Sequence, residues 1–304
     1  MNTTLAAFVR PIALAAPLRA TSVSAWREHI PFAFNVVAAI RPRTIVELGT
    51  HAGDSYCAMC QAVVSEGLGT RCFAIDRWQG DAHAGDYGPE VLQALQAYHD
   101  PLYGKFSRLV QATFDEARAQ FSTASIDLLH IDGLHTYEAV KGDFEGWLPK
   151  MTSSGVVMFH DTNVRERGFG VWKLWGEVTA RYPHFEFVHG HGLGIAAVGE
   201  TPLPALRPLF EAGEDDAKAI RDFFFALGQR AFALAEVDRL RGDVGARDAQ
   251  IAARDEQLRA RDEQVRHLEA QLRERERRLR AIESCRAYQL LQRFGILGRV
   301  PGAR

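Results

Sequence analysis

The chain has 304 residues, 47% of them hydrophobic and 24% charged, with a formal net charge of -2. That is ordinary for a globular protein with one core of about 200 residues plus an appendage, and it gives no footing for nucleic-acid binding. No apolar run reaches the roughly 20 residues of a membrane span, and Arg10 with two prolines interrupts the Ala-rich start, so neither a spanning helix nor a signal peptide is expected and the protein reads as cytoplasmic.

Residues 1–25 form an arm with little patterning. Trp26, Ile30, Phe34, Val37 and Ile40 then make a helical stripe that ends at Arg41-Pro42. TIVEL follows as a β-branched strand, with a turn from Gly49 through Thr50 to Gly53 and a helix opening at Asp54 or Ser55. A glycine turn at a helix N-terminus lets a ligand approach the backbone closely. It is not G-x-G-x-x-G, which weakens a dinucleotide reading. Cys57 and Cys60 lie past the first turn of that helix, where no helix N-terminus lowers a thiol pKa. With Cys72 and Cys285 they are too few for a disulfide framework, and they read as structural thiols.

The second strand, RCFAID, ends in Asp76, placed to accept hydrogen bonds from ribose hydroxyls. The loop Arg77 to Gly88 is rich in Gly, Trp, His, Asp and Tyr, a composition found in functional loops. A helix over Glu90–Tyr98, a strand near Arg108–Ala112 and a helix over Asp115–Phe121 come next.

The most informative stretch is SIDLLHIDGLHTYEAVKGDFEGWLPKMTSSGVVMFHD, Ser125 to Asp161. Two apolar runs, Ile126–Ile131 and Val156–Phe159, flank a helical segment, and each ends in a polar cluster. Asp132 and His135 follow the first run; His160 and Asp161 close the second. All four fall at strand carboxyl ends, where open α/β sheets hold their ligands. An amphipathic helix over FGVWKLWGEVTARY and a closing strand pair, FEFVH and GIAAVG, complete the pattern. Seven strands alternating with helices predict a doubly wound, Rossmann-like α/β sheet over 26–200.

Pro202, Pro204 and Pro208 mark the end of that domain, and a linker with a helix occupies 201–235. From 236 to 284 seven-residue repeats take over. Val237, Val244, Ile251, Leu258, Val265, Leu272 and Leu279 share the a position, while d holds Leu240, Leu268 and Ile282 but Arg at 247, 254, 261 and 275. A good two-stranded seam needs both positions apolar, so the expectation is a long helix forming a weak coiled coil, with a second copy or another protein. From Ala246 onward 14 Arg face 9 acidic residues, against 22 basic and 29 acidic before it. The end, 285–304, mixes Tyr288, Leu290, Leu291, Phe294, Ile296 and Leu297 with Arg286, Arg293 and Arg299. A basic apolar end suits the anionic inner face of a membrane, or docking on a protein.

The order ELGTHAG, AID, LLHIDGLH, FHD resembles class I S-adenosylmethionine-dependent methyltransferases. More narrowly, it is similar to the branch holding metal-dependent sugar O-methyltransferases and cephalosporin-hydroxylase-like proteins. SAWREHIPFAF and DRWQGDAHAGDYG resemble a bacterial group found near glycan-assembly genes. The resemblance covers roughly residues 26 to 200. It implies that Glu47, Gly49, Thr50 and Gly53 hold the methionine end of the cofactor and Asp76 its ribose. It further implies Asp132 and Asp161 as metal ligands and His135 as general base. These relatives carry an acid where this chain has His160, and an imidazole ligand shifts the preference from Mg²⁺ toward Mn²⁺ or Fe²⁺.

The expected function is therefore O-methylation of a sugar or glycan hydroxyl in bacterial surface-polysaccharide assembly. Two other readings stand beside it: an NAD-dependent oxidoreductase on the same sheet topology, and a non-catalytic glycan-assembly scaffold whose helical tail organises partners.

Overall fold

The structure, a computed structural model, describes residues 3–296. It divides into two compact units, Met1–Val237 and Asp238–Arg304. In the first, seven strands form one sheet: β1 (Thr44–Leu48), β2 (Arg71–Asp76), β3 (Ser107–Gln111), β4 (Ile126–Ile131), β5 (Met151–His160), β6 (His184–Phe187) and β7 (Leu193–Ala197). Their spatial order is β3-β2-β1-β4-β5-β7-β6. β1 to β5 run parallel, and β7 lies antiparallel to both β5 and β6.

The helices are α1 (Thr3–Phe8), α2 (Ile30–Ile40), α3 (Asp54–Ser65), α4 (Pro89–Tyr103), α5 (Phe114–Arg118), α6 (Tyr137–Trp147), α7 (Val171–Thr179), α8 (Arg207–Phe210), α9 (Glu214–Ser284) and α10 (Arg286–Arg293). Strand alternation sorts the core between the two faces of the sheet. Ile45, Leu128, Val156 and Met158 pack with α2, α3 and α4. Val46, Leu129, Val157 and Phe159 pack with α5, α6 and α7. With helices on both faces the central strands are mostly apolar on both sides, Glu47 and His130 excepted, which is why they read as nearly continuous runs. The chain leaves β1 toward β2 and β3, then resumes on the other side at β4. The carboxyl ends of β1 and β4 therefore form the switch point at which such sheets bind ligands.

The arm is better specified than its sequence suggests. Phe8, Ile12 and Ala13 are buried in the core. Asn35 on α2 accepts from the Arg10 N–H at 2.7 Å, Gln61 on α3 accepts from Leu18 and donates to Ala16, and Asp54 accepts from both the N–H and the hydroxyl of Thr21. These ties join residues far apart in sequence, so no local pattern announces them. The stripe expected to begin at Trp26 starts as a 3-10 turn, Arg27–His29, and becomes helical at Ile30, with Pro31 in the first turn of α2, a position proline tolerates.

The segment marked by prolines belongs to the first unit too. Leu206, Leu209, Ile220, Phe224 and Ala231 are buried there. Gly228 makes the close packing of α9 possible, because a Cβ at that position would lie 2.4 Å from the Glu28 carbonyl oxygen. The helix expected within 201–235 and the heptad segment are one element, α9. In the second unit the heptad a positions are exposed: Ile251 by 57% and Leu258 by 58%. Leu297 and Arg299 lie outside the described residues. No described helix is long and apolar enough to cross a membrane.

Candidate active site

The turn after β1 is built from glycine for steric reasons. Gly49 has φ of +85°, and a Cβ there would stand 2.1 Å from the Asp132 carbonyl oxygen at the end of β4. Gly53, with φ of +82°, caps α3, and its Cβ would meet Leu95 at 2.6 Å. The turn is thus pressed against β4, with Asp132 N–H donating to the Leu48 carbonyl at 2.8 Å.

Asp76 holds this turn in place. Its Oδ2 accepts from the Thr50 and His51 N–H groups at 2.9 and 2.8 Å, and its Oδ1 accepts from Trp78 N–H at 2.7 Å. Sequence reasoning assigns the carboxylate to ribose hydroxyls. Three of its roughly four acceptor positions are already used by backbone, which leaves about one for a ligand.

Glu47 is fully buried within a chain of polar side chains. The Trp26 indole N–H donates to His130 Nε2 at 3.1 Å, and an indole can only donate. His130 therefore carries its proton on Nδ1, which lies 2.8 Å from Glu47 Oε2. Burial raises the Glu47 pKa, opposed by the His130 hydrogen bond. Among the described residues, Oε1 of Glu47 and Oγ1 of Thr50 are buried with no partner at hydrogen-bond geometry, Ser55 being the nearby hydroxyl that eases the Glu47 charge. Such atoms are rare unless a ligand or water meets them. Together with the glycine turn, they fit the polar methionine end of S-adenosylmethionine. The sequence offers neither Trp26 nor His130 as a site residue, Trp26 entering only as the first member of the helical stripe. The one signal for His130 is a polar residue inside the apolar run LLHI.

Asp132, His135, His160 and Asp161 converge. β5 ends at His160 and the chain turns at once, Asp161 taking the left-handed φ of +61°. Plain strand alternation would send His160 and Asp161 to opposite faces. The turn instead brings His160 Nδ1 to 3.2 Å from Asp132 Oδ1 and 3.3 Å from Asp161 Oδ2. His135 Nε2 lies 2.9 Å from Asp161 Oδ2 and 3.3 Å from Asp132 Oδ1. The ring of His135 stacks on Phe169 with centroids 4.6 Å apart, and its Nδ1 has no partner.

Electrostatics follow from this crowding. Burial disfavours a charge on His160, but Asp132 and Asp161 outweigh it and hold its pKa well above the ordinary value. The same contest pushes His135 up to about 9. Burial would raise both carboxyl pKa values; their histidine partners reverse this and hold them low. His29, whose Nε2 shares the Gly190 carbonyl with His160 Nε2, is pushed the other way by burial and then by His160. The cluster thus sets two carboxylates against two imidazoles, each favouring the charged form of the other.

One donor atom each from Asp132, His135 and Asp161 falls within 4.8 Å of the others, a spacing suited to one cation. The donor set is mixed, two carboxylates and an imidazole, and accepts Mn²⁺ or Fe²⁺ more readily than Mg²⁺. Sequence reasoning separates His135 as base from His160 as ligand; here both imidazoles sit against the same carboxylates.

A cavity of about 510 Å³ is lined by Gly49, Gly53, Asp76, Asp132, His135 and Asp161 among others, so the glycine turn and the carboxylate cluster share one space. The loop after β2 folds into a two-strand ribbon, Gly80–Asp81 with Gly85–Asp86. It contributes Tyr87, stacked on His51 at 4.4 Å, and His83, stacked on Phe169 at 4.4 Å. Elsewhere Ser107, His99 and Asp100 are joined at 2.6 and 2.8 Å like a nucleophile triad. Ser107 and His99 are only 1% exposed, and the chain serves to pin α4 on β3.

Residues 46–162 match the model of a family described as a methyltransferase domain. The matched span begins in β1, three residues before Gly49, and ends just after Asp161, so it takes in both the glycine turn and the carboxylate cluster. A protein of Sinorhizobium fredii (strain NBRC 101917 / NGR234), the uncharacterized protein y4gI, is 52% identical over 186 residues. That alignment covers 61% of this chain, which spans about a fifth (20%) of y4gI. Among solved structures, the O-methyltransferase TomG from Streptomyces achromogenes, in complex with SAM, is 14% identical at a TM-score of 0.43, with 60% of this chain and 92% of that one covered. SAH-bound methyltransferase PaMTH1 of Podospora anserina is 12% identical at a TM-score of 0.43, covering 56% and 77%.

Proposed function

We propose that the chain is an S-adenosylmethionine-dependent methyltransferase acting on a hydroxyl of a sugar or glycan, in the cytoplasm and in the assembly of a bacterial surface polysaccharide. The observation that carries this reading is the single cavity shared by the glycine turn and the Asp132–Asp161 cluster. The methyl group passes from the sulfonium sulfur to the acceptor oxygen, the acceptor loses its proton, and S-adenosylhomocysteine leaves. Glu47, Thr50 and the glycine turn bind the methionine end, and Asp76 fixes the turn while offering its remaining acceptor position to the ribose.

Neutral sugar hydroxyls are weak nucleophiles near pH 7, so proton removal must be assisted. His135 takes that proton at its unpartnered Nδ1 once the ring is neutral, with Asp132 and Asp161 orienting it through Nε2. Its pKa of about 9 places the neutral form on the alkaline side, and a cation drawing charge from the two carboxylates would bring it toward neutral pH. A divalent cation, when bound by Asp132, Asp161 and an imidazole, supplies Lewis-acid polarisation of the acceptor oxygen. The faces of His83 and Phe169 offer an apolar wall against which a sugar ring can lie. The basic amphipathic end suits the anionic inner face of a membrane, where lipid-linked glycans are handled; Leu290, Phe294 and Ile296 there are exposed.

Calorimetric titration with S-adenosylhomocysteine and, separately, with NADH tests the reading. Micromolar binding of the first and none of the second is expected. NADH binding with no response to S-adenosylhomocysteine would reverse it in favour of the oxidoreductase.

A further inference from the structure

Among the described residues, the second unit carries an exposed apolar stripe. Val244, Ile251, Leu258, Val265, Leu272 and Leu279 fall seven residues apart on α9, and each is more than half exposed. Arginine at most of the d positions interrupts this stripe as a seam, yet the charges around it follow a rule. Every d residue from Arg247 onward is followed directly by an acid, at 248, 255, 262, 269, 276 and 283, all in the e position.

Residues one apart on a helix do not face each other, so Arg254 and Asp255 cannot pair within one copy. The e acids reach instead to arginines four residues on, as Glu269 does to Arg273 and Glu276 to Arg280, each at 3.7 Å. Arg254, Arg261 and Arg275 have no acid three or four residues away in either direction, and none of them makes an ion pair among the described residues. These three arginines lie beside the apolar stripe with no partner on their own helix.

We propose that the stripe is the seam of a parallel, in-register dimer of this chain, in which each d arginine pairs with the e acid of the second copy. In a parallel two-stranded coil a d side chain enters a hole whose walls include the partner's e residue. Arg254 then meets the partner's Asp255, Arg261 the partner's Asp262, and Arg275 the partner's Glu276. The long arginine stem lies over the a residues while the guanidinium reaches the carboxylate at the rim. An antiparallel pair would set the e row against the e row, acid against acid. Valine and isoleucine at three of the six a positions favour two strands over more. The g positions at 250, 257, 264 and 271 are all glutamine and bring no competing charge.

The test uses the full chain in two charge-reversed forms. One carries Arg254→Glu with Arg261→Glu, the other Asp255→Arg with Asp262→Arg. Cys285 is exposed while Cys57, Cys60 and Cys72 are buried, so a pyrene maleimide label goes to position 285. Parallel helices bring two such labels together and give excimer emission. Antiparallel helices hold them on the order of 60–70 Å apart, at about 1.5 Å per residue. The parent is expected to sediment as a dimer with excimer emission. Each variant alone should dimerise at least about ten-fold more weakly, with unchanged helical circular dichroism. Mixing the two variants should restore the dimer and its excimer, because every reversed arginine then meets a reversed acid. A parent that sediments as a monomer at about 100 µM overturns the proposal, as does a dimer without excimer. So does failure of the mixture to recover what each helical variant has lost.

Discussion

Asp76 separates a structural from a ligand-binding role more sharply than any other residue of the cavity. Its carboxylate satisfies three backbone N–H groups, those of Thr50, His51 and Trp78. Asp76→Ala leaves all three without an acceptor. An unsatisfied buried donor costs about 1–3 kcal/mol, and because Asp76 lies at a cavity wall where water can enter, the lower figure applies to each. The expected loss is about 3 kcal/mol of folding stability. Asp76→Asn keeps one oxygen but turns an amide N–H₂ toward a backbone donor, for a loss of about 2 kcal/mol. All five tryptophans, at 26, 78, 147, 172 and 175, lie in the first unit and none in the second. Urea unfolding followed by tryptophan fluorescence therefore reads this unit without interference from the long helix. S-adenosylhomocysteine affinity should fall in parallel as the turn loosens. An Asp76→Ala protein as stable as the parent to within about 0.5 kcal/mol, but no longer binding, would mean that the carboxylate serves the ligand alone and that its backbone role is misread.

Further outcomes are expected. Gly49→Ala should cost at least about 3 kcal/mol, since a left-handed φ is joined by a collision with the Asp132 backbone. Gly85→Ala, at φ of +80° with open space around it, should cost only about 1 kcal/mol in the same urea assay. His135→Ala should lower methyl transfer about 10²–10⁴-fold in a radiolabel assay, with S-adenosylhomocysteine affinity nearly unchanged by calorimetry. Burial and then Asp115 raise the Asp143 pKa to about 7, against an ordinary 3.8, with Arg118 opposing. The folded chain then binds more protons than the unfolded chain between about pH 4 and 7, so stability falls as pH rises through that window. Asp143→Asn should remove this fall and gain on the order of 1–2 kcal/mol over the parent at pH 8, a discounted figure for a partly exposed group. Deleting residues 285–304 should reduce co-sedimentation with anionic liposomes at low salt.

Much of the sheet is legible in the sequence because parallel strands buried on both faces are continuous apolar runs. Each run ends where a polar residue can first meet solvent, which is why Asp76, Asp132 and Asp161 stand out. Their convergence depends on strand order, which the resemblance supplies and the individual runs do not. Directions of hydrogen bonding are not written in residue types. Asp76 reads as a ribose acceptor because its use by three backbone groups requires the fold of the 49–53 turn to be known. Trp26, His130 and Glu47 belong to three different elements, and only tertiary packing makes a chain of them. The arm is hidden for the same reason, since its partners Asn35 and Gln61 look like ordinary polar residues on helices. The continuity of α9 is masked by the change of composition near residue 235, where a core-packed helix gives way to charged heptads, and not by Gly228, whose use is close packing on the Glu28 carbonyl.

Asp132 ties the two halves of the cavity through backbone as well as side chain. Its N–H bonds the Leu48 carbonyl, its own carbonyl oxygen is the atom that forbids a Cβ at Gly49, and its carboxylate faces both imidazoles. β1 and β4 are adjacent, so the glycine turn and the carboxylate cluster are separated by one interstrand spacing. Methyl transfer needs sulfur, carbon and oxygen in line, with reacting atoms about 3–3.5 Å apart, and small errors in that spacing are expensive. Under the proposed reaction the spacing is set by main chain, which cannot swing between rotamers as side chains do. Asp132→Asn alters the charge at the cluster and leaves the joint intact, so it should lower turnover without moving the cofactor. Gly49→Ala disturbs the joint itself and should damage cofactor affinity and turnover together.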